Sequence, residues 1–364
     1  MFPGYSSISD GDVEKQGLQP SKPSCQCWQQ QWQEQIRQRK QSRLMIFLLI
    51  LVAFSFVGYH HYHHHRVDAF DHHPVDGMAT FTKEDPVKIC AQPTVPWDGQ
   101  TTFEFDEKIK HLAMSQKTFK STLEGLHHGK IDVQVNEALE KTKVTFDIKL
   151  SDEAFNDYIW IDEHNSEDTV RLVVRSEHDV PLCFQINAVI QVPNKASLDA
   201  LAVEFASNDV QIIDALQLQD LALSVVSGNV HIVQPLQARH IDMAAASGQL
   251  IGVFDVDQVD FKSATASGNT DLTFIGIHPI SSIDASSASG SIQVQVPSTF
   301  ESKMELSCVV GNVHVNAVDS SKLHYRRSGG IVGHTLKGYY GTDSHPPSNI
   351  KISTVSGNAN LDIV

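Results

Sequence analysis

The stretch SVVSGNVHI, Ser224–Ile232, decides the fold, because close copies of it recur through the last 165 residues of the chain. Each copy is centred on a glycine, and most successive glycines lie 20 to 22 residues apart. The glycines are Gly228, Gly248, Gly268, Gly290, Gly311 and Gly357. A fixed period of this size is typical of proteins in which identical structural units stack on one another.

Apolar residues alternate with polar ones on both sides of the glycine. In the first copy Val230 and Ile232 follow Gly228, and Leu221 stands seven positions before it. This alternation is typical of a strand with one buried face. Two short strands joined by a glycine that accepts positive φ make one coil of a solenoid. We therefore predict an all-β fold, a β-solenoid of about 20 residues per coil over residues 199–364.

One interval in the repeat is longer than the others. Gly311 and Gly357 are 46 residues apart, enough for two coils and a small insertion. We expect Ser328-Gly329-Gly330 to mark a degenerate copy of the motif between them.

The position after each glycine is polar and occupied by Asn229, Gln249, Asn269, Ser291, Asn312 and Asn358. Asn tolerates the left-handed conformation, and stacked amides form ladders between neighbouring strands. We interpret the column as structural, because a ladder explains all six residues and a catalytic role explains none.

The repeated Ser-Gly-Asn/Ser-apolar-x-apolar coil, preceded by VIQVPNKASLDALAV at Val189–Val203, resembles the adhesin-type β-repeat family. That family is related to auto-transporter adhesin heads and includes fungal single-pass membrane-anchored members of unknown function. The resemblance covers about residues 180–364 and implies a displayed β-repeat domain. It implies no catalytic residues.

Residues 99–198 also read as strands, with alternation in GKIDVQV (Gly129–Val135), KVTFDIKL (Lys143–Leu150) and FQINAVIQV (Phe184–Val192). We expect this region to continue the solenoid or to cap it, because uncovered solenoid ends invite edge-to-edge pairing.

A membrane anchor is predicted at residues 44–59, LMIFLLILVAFSFVGY, which contain no charge. The alternative is a cleaved signal peptide, but 43 residues precede the run and no A-x-A-like site follows it. Arg37, Arg39, Lys40 and Arg43 crowd its N-terminal side, whereas Arg66 alone stands close on the other. The positive-inside bias predicts a type II single-pass signal-anchor, with the C-terminal domain extracellular or lumenal, at the plasma membrane or along the secretory and vacuolar pathway.

The net charge of −15 divides unevenly at this segment, into +2 for residues 1–43 and −17 for residues 60–364. So acidic a C-terminal region disfavours nucleic acid as a partner, because nucleic acid is bound chiefly through Lys and Arg. Residues 1–43 are rich in Gln and Ser and predict a disordered cytosolic tail.

Residues 60–98 form a predicted stalk with four prolines and a dense group of histidines. The histidines are His60, His61, His63, His64, His65, His72 and His73. Such a group could bind a transition metal or respond to acidification. We favour a solvated spacer and no cofactor, because ordered metal sites need supporting hydrogen bonds around their ligands.

A polysaccharide-cleaving enzyme is the main catalytic alternative. Asp284 and Glu305 share the column six positions before the glycine, and chain order makes them neighbours about 5 Å apart, the spacing of a retaining glycosidase pair. No third group marks this pair, and cross-coil ion pairing accounts for the column equally well. We expect no catalysis.

Three cysteines follow the anchor: Cys90, Cys183 and Cys308. Cys308 falls in a column of small packed residues, which leaves Cys90 and Cys183 as the predicted disulfide. The odd number also permits an intermolecular bridge. The function expected from these features is binding or structural display by an adhesin-like solenoid, with a glycan or a protein as ligand.

Overall fold

The computed structural model describes residues 92–117, 126–177, 183–330 and 333–364. These residues belong to one compact unit, Asp85–Val364. The predicted tail, the anchor at 44–59 and the seven histidines at 60–73 lie outside the described residues. Within the described ranges, no helix has the length and apolar character needed to cross a membrane.

The described chain forms two stacked sheets, which we call sheet A and sheet B. The strands of sheet B are β3 (His111–Lys117), β7 (Ile159–Asn165), β8 (Thr169–Ser176), β11 (Asp220–Ser227), β13 (His240–Ser247), β15 (Asp260–Ser267), β17 (Ser282–Ser289), β19 (Ser302–Val310), β21 (Leu323–Gly329), β22 (His334–Tyr340) and β23 (Ser348–Ser356). The strands of sheet A are β1 (Val95–Pro96), β2 (Thr102–Phe105), β4 (Leu126–His127), β5 (Gly129–Val135), β6 (Thr142–Leu150), β9 (Phe184–Val192), β12 (Val230–Leu236), β14 (Leu250–Val256), β16 (Thr270–Ile277), β18 (Ile292–Val296), β20 (Val313–Ala317) and β24 (Ala359–Ile363). β10 (Ala200–Ile212) crosses from sheet B to sheet A, and short 3₁₀ turns occupy Glu153–Tyr158 and Ser320–Lys322.

The predicted all-β solenoid is confirmed. Successive coils pair in parallel at the repeat interval, so that Asp220 of β11 lies opposite His240 of β13, which lies opposite Asp260 of β15. Alternate side chains of the coil strands point between the two sheets and form one continuous core. At its centre the rings of Phe254, Phe261 and Phe274 lie 5.1 to 5.4 Å apart. Burial of this apolar column holds the sheets together.

The C-terminal coils do not stack in chain order. β23 pairs in parallel with both β17 and β19, and β24 pairs with both β18 and β20. The coil of Gly357 therefore lies between the coils of Gly290 and Gly311. The predicted degenerate coil around Ser328-Gly329-Gly330 is wrong, because β21 and β22 form an antiparallel hairpin that covers the outer edge of β19.

The N-terminal end has a similar arrangement. β3 lies between β8 and β10, and β5 lies between β9 and β10, all in parallel, so the first coil in the chain is again internal. Antiparallel strands then cover the outermost coil: β7 pairs with β8, while β6 pairs with β9 and in turn with β1 and β2. Residues 99–198 thus contribute both coils and a cap.

The fold also begins inside the segment that the sequence assigned to the stalk. Val95 and Pro96 pair with Leu150 and Lys149 of β6. Trp97 is 8% exposed and packs in the core. Proline is tolerated here because β1 lies at a sheet edge, where its missing N–H breaks no ladder.

Candidate functional site: the outward face of sheet B

The glycine corners set the spacing of the coils. The six repeat glycines have φ between +135° and +148°. In each, a Cβ atom would come within 1.7 to 2.2 Å of the backbone carbonyl oxygen of the preceding residue in the same spatial column. That column runs Asn208, Gly228, Gly248, Gly268, Gly290, Gly357, Gly311. Only glycine fits such a corner, since both the backbone conformation and the space exclude a side chain.

The polar column after the glycines bonds to backbone as well as to side chains. Asn229 Oδ1 accepts from the backbone N–H of Gln249 at 3.0 Å, and Asn269 Oδ1 accepts from that of Ser291 at 2.9 Å. Asn358 Oδ1 likewise accepts from Asn312 N–H at 3.1 Å. Each bond joins two neighbouring coils. It satisfies a backbone N–H group that, at the corner, takes no part in the hydrogen bonding between strands.

Asp209 begins this column. Its carboxylate accepts from the backbone N–H of Asn229 at 2.7 Å and lies 3.0 Å from His128 Nε2. Burial raises the pKa of Asp209, but the hydrogen bonds from His128 and Asn229 outweigh burial, so the pKa lies below its usual value. The carboxylate is therefore held in its charged form at neutral pH.

A ladder of charged side chains crosses the outward face of sheet B. We call it the outward ladder; its members, in spatial order, are Asp242, Lys262, Asp284, Lys351, Glu305, Lys337 and Arg326. Lys351 Nζ lies 4.0 Å from Asp284, and Lys337 Nζ lies 2.8 Å from Glu305. The sign alternates at every step except the last, where Lys337 faces Arg326.

The prediction that Asp284 and Glu305 are neighbours is wrong. Lys351 of β23 lies opposite both of them, because the C-terminal coil is inserted between their strands. Two strand spacings, about 9.6 Å, therefore separate the two backbones, and an ammonium group occupies the position between them. The structure does not assemble the retaining carboxylate pair, and it places both residues in a charge-paired surface row.

The described cysteines differ in state. Cys183 is disulfide-bonded, and Cys90 lies outside the described residues, so its pairing with Cys183 stays a prediction. Cys308 is free and 3% exposed. Burial raises the pKa of its thiol, against a backbone hydrogen bond involving His334 that lowers it. Cys308 is thus a packed residue and not a reactive thiol.

Among the residues that the structure describes, no three His, Cys, Asp or Glu side chains converge on a point that could hold a metal ion. Metal binding by the histidines at 60–73 stays a prediction, since they lie outside those residues.

Sequence reasoning missed the C-terminal end of the outward ladder. Lys337 and Arg326 lie on the β21–β22 hairpin, which lacks the repeat motif, so no column placed them beside Glu305. Next to them His324 stacks on Tyr339 with ring centres 4.7 Å apart. The density of basic residues in KLHYRR, Lys322–Arg327, was the signal that could have found this end.

Comparison with protein-family models relates the chain to known proteins. The model described as Toastrack DUF4097 matches residues 126–362, well over half of the chain. The chain belongs to the Toastrack DUF4097 family. The match covers the coils from β4 to β24, so the family domain and the solenoid largely coincide.

Several solved bacterial structures resemble this Toastrack chain. A "putative adhesin" of Bacteroides fragilis shares 14% identity, covering 72% of this chain and 98% of its own, with a TM-score of 0.38. A "putative adhesin" of Parabacteroides distasonis shares 14%, covering 74% and 99%, with a TM-score of 0.36. A "putative lipid binding protein" of the same species shares 13%, covering 74% and 97%, with a TM-score of 0.31. Likeness at these values carries no argument about function. No curated protein sequence matches the chain significantly.

Proposed function

We propose that this Toastrack protein displays its solenoid on the extracellular or lumenal side of a membrane and binds a glycan or protein ligand there, without catalysis. The observation that carries the proposal is the outward ladder. It presents seven charged side chains in one row across seven neighbouring strands of sheet B. A rigid row of regularly spaced charges suits an extended ligand with its own repeat better than it suits a small molecule.

The column beside the ladder makes the same face accessible. Along the seven strands of the ladder it contains only small residues, namely Ala244, Ala264, Ser286, Ser353, Ser307, Thr335 and Ser328. A ligand can therefore approach the ladder over this column without displacing bulky side chains. The ladder then supplies the polar contacts that orient it.

Membrane anchoring is the second part of the proposal. It is supported by the uncharged run at 44–59 and by the four basic residues that precede it. The resemblance to fungal single-pass members supports the same topology.

Selective permeabilisation tests the topology. The full chain carries one epitope tag at each end and is expressed in cells. We expect antibody to reach the C-terminal tag without access to the cytosol, and the N-terminal tag only after the cytosolic face is opened. Labelling of both tags from the cytosolic side would overturn the type II orientation.

Glycan and protein arrays test the binding surface. Asp284→Lys reverses one rung of the outward ladder, and Asp271→Lys makes the same change at an exposed position on sheet A. We expect the first variant to lose binding at least about tenfold, a change of ~1.4 kcal/mol, and the second to keep it. Equal effects would remove sheet B as the binding face, and new sugar products after long incubation would overturn the absence of catalysis.

A further inference from the structure

The two ends of sheet B each expose an edge strand. Within the described ranges β21 pairs only with β22, and β7 pairs only with β8. Each therefore keeps one row of backbone N–H and C=O groups without a strand partner. Such an edge is a template for pairing with another chain unless charge or shape opposes it.

The β21 edge is basic. Arg326 ends the outward ladder beside Lys337, and no hydrogen bond or ion pair joins its guanidinium to a described residue. Arg327 points to the opposite, inward face, where its guanidinium lies 5.5 Å from the centre of the Tyr325 ring, which is 46% exposed. One cation thus stands on each face of this edge, and every other step of the outward ladder joins opposite charges.

The β7 edge is acidic. Ile159 and Ile161 point inward against the core, so Glu163 shares the inward face and Asp162 the outward one. Asp162 forms an ion pair with Arg175 of β8 and keeps 31% of its side chain exposed. Glu163 accepts a hydrogen bond from Asn165 Nδ2 at 2.7 Å and is exposed. This edge therefore carries one anion on each face.

We propose that β21 of one copy adds to β7 of a second copy, head to tail, and extends sheet B from molecule to molecule. β21 runs parallel to the coil strands and β7 runs antiparallel to them, so the two would pair as antiparallel strands. Both strands contain seven residues. Antiparallel pairing places the side chains of opposing residues in direct pairs.

The register in which all seven residues of each strand are paired brings opposite charges together. It places Leu323 opposite Asn165 of the second copy and Gly329 opposite Ile159 of the second copy, with Arg326 opposite Asp162 of the second copy at the centre. Outward side chains meet outward ones throughout. On the inward face Arg327 then lies diagonal to Glu163 of the second copy, within reach of its long side chain.

A like-to-like dimer through β21 is disfavoured by the same charges, since it would bring the cationic edges together. The contact is therefore heterologous and does not close on itself. Repetition of one such contact builds a linear series. Along sheet A one strand position would remain vacant between β20 and β2 of the second copy, so strand pairing is confined to sheet B.

Sedimentation of the full chain in non-ionic detergent tests the contact. We expect wild-type protein to form a concentration-dependent linear series, and Arg326→Glu to raise the concentration of half-association at least about tenfold. Lys262→Glu is the matched control, because it reverses a charge of the same ladder far from either end. It should associate like the wild type.

Mixing supplies the decisive comparison. Asp162→Arg alone should weaken association to a similar extent, but in an equal mixture of Arg326→Glu and Asp162→Arg every contact between unlike variants has complementary charges. We expect the mixture to associate again. A monomeric wild type, an unaffected Arg326→Glu variant, or a mixture that stays monomeric while both variants are folded would overturn the proposal.

Cysteine cross-linking tests the same contact without charge reversal, and it does not depend on whether the Asp162→Arg variant folds. Directly opposed residues in antiparallel strands have Cα atoms about 4.5–5.5 Å apart, within disulfide range. Arg326→Cys mixed with Asp162→Cys should form an oxidised heterodimer, and Lys262→Cys mixed with Asp162→Cys should not. Cross-linking of Arg326→Cys with itself alone would show a like-to-like contact and overturn the head-to-tail arrangement.

Discussion

At the scale of single residues, the coil spacing depends on glycines that have no room for a side chain. The clearest case is Gly268, with φ at +148° and a Cβ position 1.7 Å from the carbonyl oxygen of Gly248. The obstacle is backbone of the preceding coil, so it cannot rotate away as a side chain would. The repeat therefore tolerates variation in its strands far better than at its corners.

Gly268→Ala should lower the free energy of unfolding by about 2–3 kcal/mol, because it combines a strained φ with a backbone clash. The measurement is urea denaturation followed by circular dichroism. Gly330→Ala is the control, since a Cβ there meets nothing within 4 Å, and it should change stability by less than about 0.5 kcal/mol. Similar losses in the two variants would contradict the corner argument.

Asp209 gives a prediction in pH. Because its pKa is lower in the folded protein than its ordinary 3.8, its contribution to stability is present above that value and is lost as the pH falls through the folded pKa. Asp209→Asn should therefore be less stable than wild type at pH 7, by at most about 1 kcal/mol because the pair is partly exposed. The difference should shrink as the pH is lowered below 3.8, and a difference that stays constant there would count against the assignment.

At the scale of elements, the order of the coils differs from the order of the chain at both ends. β23 and β24 come last in the sequence but lie between coils, with β17 and β19 on either side of β23. Chain ends usually fray unless they are tied down. Here the coil of β23 and β24 is paired with a neighbouring coil on both sides. The outermost coil is that of β19 and β20, and the β21–β22 hairpin covers its edge in sheet B.

Ile352→Ala tests the internal position of β23. Ile352 is fully buried, so its truncation should cost about 2–5 kcal/mol by thermal or urea unfolding. Val355→Ala, on the same strand but 47% exposed, should cost less than about 0.5 kcal/mol. A frayed terminal coil would instead tolerate both changes.

At the scale of the whole molecule, one covalent link remains to be located. Cys183 is disulfide-bonded and lies where the chain enters β9, in the outermost coil of the N-terminal end. A bond to Cys90 would join that coil to the segment just before β1. If the chain is anchored as proposed, such a link would fix the segment before β1 to the cap, where pulling on the domain would otherwise begin to unfold it.

Peptide mapping without reductant should therefore recover Cys90 joined to Cys183, with Cys308 free. Cys308 is already buried and free in the fold, so alkylation of it should require denaturant. Recovery of Cys183 joined to Cys25 or Cys27 would contradict both this pairing and the proposed topology, since disulfides persist on the oxidising side of a membrane.

The sequence by itself determined the local structure of this protein. Strand alternation, the glycine at each corner and the polar residue after it are properties of a single coil, and periodicity exposes them because every coil meets the same neighbours. The all-β solenoid and its period follow from that pattern. The family of the chain is consistent with it, since the matched region is the region of the coils.

Only the tertiary structure decided which coil lies beside which. All the coils offer nearly the same edges, so the sequence motif cannot say that Lys351 would stand between Asp284 and Glu305, or that Lys337 and Arg326 would extend their row. Those neighbours depend on how the two ends are covered. Several alternative strand pairings have similar local energies, so only the complete fold determines which of them forms. The chemistry of the outward face is set by that choice, because charge pairing acts across strands and not along them.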